Sequence, residues 1–127
     1  MSTNTSQLVA AFLSHLGITP PVGDDMCVSL DIPDAGTLYI DSLTDEVGLS
    51  LVNSIPEYQA DDFMSKAMES LHSSMTWGVS QSMQVGLRNE NQWVVWQKVS
   101  MAEASVDRLM SVCNELRNFI LQVKGAI

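Results

Sequence analysis

Residues 26–56 read MCVSLDIPDAGTLYIDSLTDEVGLSLVNSIP, and the periodicity of this stretch decides the fold class. Met26, Val28, Leu30 and Ile32 alternate with Cys27, Ser29 and Asp31, the period of two expected of a strand with one apolar face. Pro33-Asp34-Ala35-Gly36 is turn chemistry: proline presets φ and glycine tolerates positive φ. Thr37 to Asp41 alternates again, with Leu38 and Ile40 set against Tyr39 and Asp41. A second turn at Ser42 to Asp45 leads to Val47, Leu49 and Leu51, and Pro56 stops the run. The pattern predicts a three-stranded antiparallel meander.

Working outward, Leu8, Phe12 and Leu16 recur at i, i+4 and i+8. They predict a first helix over residues 6–16, with Thr5 or Ser6 as N-cap and Gly17 as its stop. Thr19-Pro20-Pro21 and Gly23-Asp24 form the loop between this helix and the meander. Downstream of Pro56 the period becomes helical. Phe63, Met64, Ala67, Met68, Leu71 and Met75 keep one face of residues 61–76 apolar, Asp61 and Asp62 suit the positive end of the helix, and Gly78 closes it. Met83, Val85 and Leu87 then alternate, Arg88 to Asn91 is a hairpin turn, and Trp93 to Val99 is the partner strand. Trp93, Val94, Val95 and Trp96 are apolar on both faces, which predicts a strand that is central or covered on both sides. Ser100-Met101-Ala102-Glu103 has the pattern of a capping box. The stripe Val106, Leu109, Met110, Cys113, Leu116, Ile120 and Val123 follows, predicting a last helix of about 24 residues that ends at Lys124-Gly125 and spans about 36 Å. The expected fold is α+β in the order α-β-β-β-α-β-β-α, a twisted antiparallel sheet packed by helices. No repeat or linker divides the chain, so residues 1–127 are expected to form one domain.

Charge narrows the function classes. Fifteen acids against six Lys and Arg give a net charge of −9 over 127 residues. Residues 1–65 hold ten of the acids and no Lys or Arg, whereas residues 66–127 are near balance. Such a field opposes nucleic acid and anionic membranes, both of which are bound through Lys and Arg. No apolar run approaches the roughly 20 residues of a membrane helix, and the N-terminus lacks the pattern of a signal peptide. Cys27 and Cys113 make no disulfide framework and are expected as free thiols in a reducing, cytoplasmic setting.

The chain is poor in reactive groups. His15 and His72 have no cysteine or carboxylate at ligand spacing, and no nucleotide-binding, zinc-protease or nucleophile-elbow motif occurs. Adjacent acids such as Asp24-Asp25 and Asp61-Asp62 point apart on a helix or strand and suit turns and helix starts. No enzyme activity, metal or cofactor is expected. Methionine is the more informative residue: Met64, Met68, Met75, Met83 and Met101 lie between the middle helix and the start of the last element. Flexible, polarizable Met fills irregular cores and also lines surfaces that accept varied partners. The middle helix and following strand carry Met64, Met68, Leu71, Met75, Met83, Val85 and Leu87, more apolar surface than a domain this small buries alone. Self-association would cover the remainder.

With its size, acidity, element order and long C-terminal helix, and with stretches such as Met26-Cys27-Val28-Ser29-Leu30-Asp31 and Met83-Gln84-Val85-Gly86-Leu87, the whole chain resembles the class I type III secretion chaperones. That resemblance implies a cytoplasmic homodimer in a Gram-negative bacterium. It would bind the N-terminal region of one or more secreted effectors and keep that region extended for secretion, without hydrolysing anything. It places the dimer contact on Met64, Met68, Leu71, Met75, Met83, Val85 and Leu87. Effector contacts fall on the first helix and the sheet, at Val9, Phe12 and Leu13 with Val28, Leu30, Leu38 and Ile40. Core packing is the competing role for each of these, and Phe12 is the anchor expected to matter most. The alternative reading of the whole is another small acidic interaction module, such as an immunity or scaffold protein.

Overall fold

Alternation, turn chemistry and helical period produce eight main elements in a computed structural model that describes residues 5–19, 27–76, 83–89 and 92–125. They are α1 (Thr5–His15), β1 (Cys27–Ile32), β2 (Gly36–Ser42), β3 (Glu46–Ser54), α2 (Ala60–Thr76), β4 (Gln84–Asn89), β5 (Gln92–Ser100) and α3 (Val106–Gly125); a short 3-10 turn, Glu57–Gln59, leads into α2. The five strands form one antiparallel sheet in the order β1-β2-β3-β5-β4. The meander is therefore joined to the second hairpin through β3 and β5. Register aligns Leu30, Leu38, Leu51, Val95 and Val85 in one row across the sheet. Because side chains alternate between faces, that row and its neighbours Ile40, Leu49, Val47 and Val99 make one apolar face. The helices cover that face: Val9, Phe12 and Leu13 of α1, Phe63 and Ala67 of α2, and Leu109, Val112, Leu116, Ile120 and Val123 of α3 join a single buried cluster with it.

The turns follow the residues placed in them. Asp34 (φ 68°) and Gly36 (φ 124°) both adopt positive φ between β1 and β2. At Gly36 a side chain is excluded outright, since a Cβ would lie 2.0 Å from the Val52 carbonyl oxygen. Asn53 braces this turn by donating from Nδ2 to the Ala35 carbonyl at 2.6 Å. Gly17, at φ 79°, ends α1 in a Schellman arrangement: Gly17 N–H donates to Ser14 C=O at 3.0 Å and Ile18 N–H to Leu13 C=O at 2.9 Å.

Three expectations change. Thr5 is not an N-cap: it is the first residue of α1, buried, and its hydroxyl donates to the Leu43 carbonyl instead. The capping box at Ser100–Glu103 starts no helix. Ser100 pairs with Glu46 at the end of β5, and Met101 N–H extends the strand contact by donating to Asp45 C=O at 2.9 Å. Residues 101–103 form a turn, held by Glu103 N–H on Ser100 C=O. The cap is Ser105, whose Oγ accepts from Arg108 N–H at 3.0 Å, so α3 has 20 residues and a length of about 30 Å. The apolar run of β5 is that of a central strand, as expected: β5 lies inside the sheet between β3 and β4. Trp93, Val95, Gln97 and Val99 are buried, while Val94 and Trp96 are half-buried on the other face, where the Trp96 ring lies over Gly86. The stop at Gly78, the loop from Pro20 to Asp24, and Glu90 and Asn91 of the second hairpin turn lie outside the described residues.

Candidate functional site

Where α1 and α3 diverge over the β1 side of the sheet, the packing leaves an apolar groove of about 150 Å³. Phe12, Leu38 and Leu51 form its floor and are all buried. Leu30 and Ile32 of β1 form one half-buried wall, and Met110 and Cys113 of α3 the other. Leu16, Asn114 and Arg117 stand exposed at its mouth. An apolar space of this size accepts one aromatic ring or one branched or thioether side chain. The strand beside it, β1, is an edge strand, paired among the described residues only with β2. An extended segment laid along such an edge gains main-chain hydrogen bonds while sending alternate side chains into adjoining pockets.

The seven residues expected to contact a partner divide into two groups. Val9, Phe12, Leu13, Leu38 and Ile40 are 0–2% exposed and belong to the buried cluster of the chain itself. Val28 and Leu30 on β1 remain half-buried and accessible. Phe12, Leu30 and Leu38 meet in the groove; Val9, Leu13, Val28 and Ile40 do not line it. The sequence reading missed Leu16, Ile32, Leu51, Met110, Cys113, Asn114 and Arg117. Met110 and Cys113 lay within the apolar stripe of the last helix, but nothing local distinguished them from its core positions.

A second exposed apolar surface lies on α2. Its Phe63 and Ala67 are buried, with the Phe63 ring 5.0 Å from that of Trp93, whereas Met64 and Met68 are 41% and 54% exposed. Leu71 and Met75 lie further along α2, and the side chains of these two and of Leu87 fall outside the described residues. Met83 and Val85 are half-buried against the core cluster at the β4 end of the sheet. The two surfaces are thus built from different elements.

Electrostatic and chemical features of the site are modest. Ion pairs at or near the surface join Lys66 to Glu69, Lys98 to Glu46 and Arg108 to Glu115 at 3.6–3.8 Å, the last of them half-buried; surface pairs of this kind are worth under about 1 kcal/mol each. Both cysteines are free thiols. Burial pushes the Cys113 thiol up to about 12, while Cys27, exposed on the other face of β1, is raised chiefly by its hydrogen bond to Asp41. Both thiols are therefore poor nucleophiles at neutral pH. Among the described residues no three His, Cys, Asp or Glu side chains come together as a metal site, and no helix is long and apolar enough to cross a membrane.

Residues 5–123 match the family model of the type III secretory system chaperone SycN. The chain belongs to this family of type III secretory chaperones. Solved structures share the fold at low identity. The Yersinia pestis type III secretion chaperone SycH, solved with a stable fragment of YscM2, superposes with a TM-score of 0.67 at 15% identity, covering 94% of this chain and 99% of that one. The heterodimeric ExoU–SpcU complex of the Pseudomonas aeruginosa type III secretion system gives 0.67 at 14% identity, covering 94% and 97%. An uncharacterized protein from Methanothermobacter thermautotrophicus gives 0.64 at 16%, covering 94% of each. No curated protein sequence matches at a significant level.

Proposed function

We propose that this chain is a non-catalytic cytoplasmic chaperone, acting as a homodimer, that binds the N-terminal region of a type III secreted effector and keeps it extended and competent for secretion. The observation that carries this reading is membership of the type III secretory chaperone family over residues 5–123. Two features of the chain support it. The groove beside β1 offers an apolar socket next to a strand edge that no described strand covers, suited to an extended partner rather than a folded one. The solved relatives in complex, SycH with a YscM2 fragment and SpcU with ExoU, are likewise protein–protein assemblies.

Within this reading the accessible contacts for an effector are Leu30 and Val28 on β1 together with Leu16, Ile32 and Met110 around the groove. Phe12 and Leu38 contribute as the floor of the socket, and Val9, Leu13 and Ile40 hold the elements that form it. Homodimerisation belongs to the exposed Met64 and Met68 of α2, continued by Leu71 and Met75 and joined by Met83, Val85 and Leu87. Burying two such thioether side chains per protomer would contribute about 1.5–3 kcal/mol for each one fully covered.

Native purification from the host, followed by mass spectrometric identification of what remains bound and hydrogen exchange across it, tests the proposal. The expected result is a secreted protein whose protected amides lie in its N-terminal region. Recovery of a folded toxin bound through a globular domain would overturn it.

A further inference from the structure

Arg117 stands at the mouth of the groove, and none of the ten described residues lining that groove carries a carboxylate. Its neighbours on α3 at three and four residues' distance are Cys113, Asn114, Ile120 and Leu121, which offer no counter-charge either. The other described basic side chains are engaged: Lys66, Lys98 and Arg108 with acids, and Lys124 through a 3.2 Å hydrogen bond to the Asp34 carbonyl. In a chain with fifteen acids, the exposed guanidinium beside the apolar socket is the one described base with no partner among the described residues.

We propose that Arg117 is a specificity-determining residue of the groove, selecting partner segments in which the apolar anchor is accompanied by a carboxylate. The inference rests on the reading of the chain as an effector-binding chaperone and names the chemistry of the segment it accepts. In an extended segment, side chains two residues apart share a face and lie about 7 Å from one another. An apolar residue seated over Phe12 and Leu38 therefore carries its i±2 neighbour to the rim, where an Asp or Glu meets the guanidinium. Arg suits this role because its planar fork can hold a carboxylate through two parallel hydrogen bonds.

Three small probes with one six-carbon tail test the proposal: hexanoate, 1-hexanol and hexylammonium, each titrated into the full chain and followed by amide NMR shifts at low salt. The net charge of −9 favours the ammonium over the whole surface, so any preference for the carboxylate must come from a local group. The expected result is that hexanoate moves the resonances of Leu16, Leu30, Met110 and Cys113 and binds about two- to fivefold more tightly than hexanol, the range of an exposed ion pair. In Arg117→Gln that advantage should vanish while hexanol binds as before. Equal binding of the three probes, a carboxylate preference that survives in Arg117→Gln, or shifts elsewhere than the groove would each overturn the proposal. The effector reading is judged separately, since it stands or falls on what co-purifies from the host.

Discussion

The rings of Phe63 and Trp93 meet at 5.0 Å with a 37° tilt, fastening α2 to β5 by its buried side. That contact fixes which side of α2 faces outward. Met64 and Met68 sit one residue beyond Phe63 and Ala67, about 100° further round the helix, and so are carried away from the core.

Phe63→Ala removes the ring that fills the space under α2. A loss of about 3–5 kcal/mol is expected, measured as a lower urea midpoint, because a fully buried aromatic leaves both lost transfer energy and a cavity.

Met68→Asp should behave differently. Position 68 is exposed, so the fold of the protomer is unaffected, but an unpaired carboxylate in an apolar contact costs several kcal/mol of association. Light scattering is expected to give twice 13.9 kDa for the parent chain and 13.9 kDa for the variant. A parent chain that is monomeric at micromolar concentration would remove the dimer.

Phe12 and Leu16 both line the groove but differ in exposure, 1% against 38%. Phe12→Ala is expected to destabilise the fold by about 3–5 kcal/mol, so a loss of partner binding in it would be uninformative. Leu16→Ala should cost under about 1 kcal/mol of stability and still weaken effector binding, roughly fivefold or more by calorimetry. Unchanged affinity in Leu16→Ala would take the groove mouth out of the binding site.

The order of element types was legible because strands and helices announce themselves by period, and the β1–β2 turn because its residues have few alternatives. The pairing of β3 with β5 was not, since no local pattern encodes which distant strand completes a sheet. Ser100–Glu103 satisfied the capping pattern, yet the backbone there still had a strand partner in Glu46 and Asp45, and that pairing delayed the helix to Ser105. On α2 the apolar stripe was read as one surface; in the fold it splits, with Phe63 and Ala67 turned inward and Met64 and Met68 outward. The burial of Phe12 was not legible, because it depends on Leu38 and Leu51, which lie far away in sequence. Arg117 looked like an ordinary charge on a solvated helix face, and only the groove beside it gives it significance.

The thiols offer a chemical check on the packing. Because burial pushes Cys113 up to about 12, its neutral form is the one the fold favours. Its contribution to stability is complete below the unfolded value near 9.0 and is lost as pH rises from there toward 12, since only the unfolded chain then ionises freely. Cys113→Ala should flatten that alkaline decline. At pH 8 iodoacetamide should label Cys27 well before Cys113, and denaturant should equalise the two; equal rates in the native protein would contradict the burial of α3.

Secretion itself decides whether the chain acts as a chaperone. With the co-purifying protein identified, its export through the type III pathway can be measured in the host with and without this chain. Export of that protein is expected to fall at least about tenfold without the chain, other substrates to be exported normally, and the intact chain to restore it. Unchanged export of the bound protein in the deletion strain would contradict the assignment of this chain as its secretion chaperone.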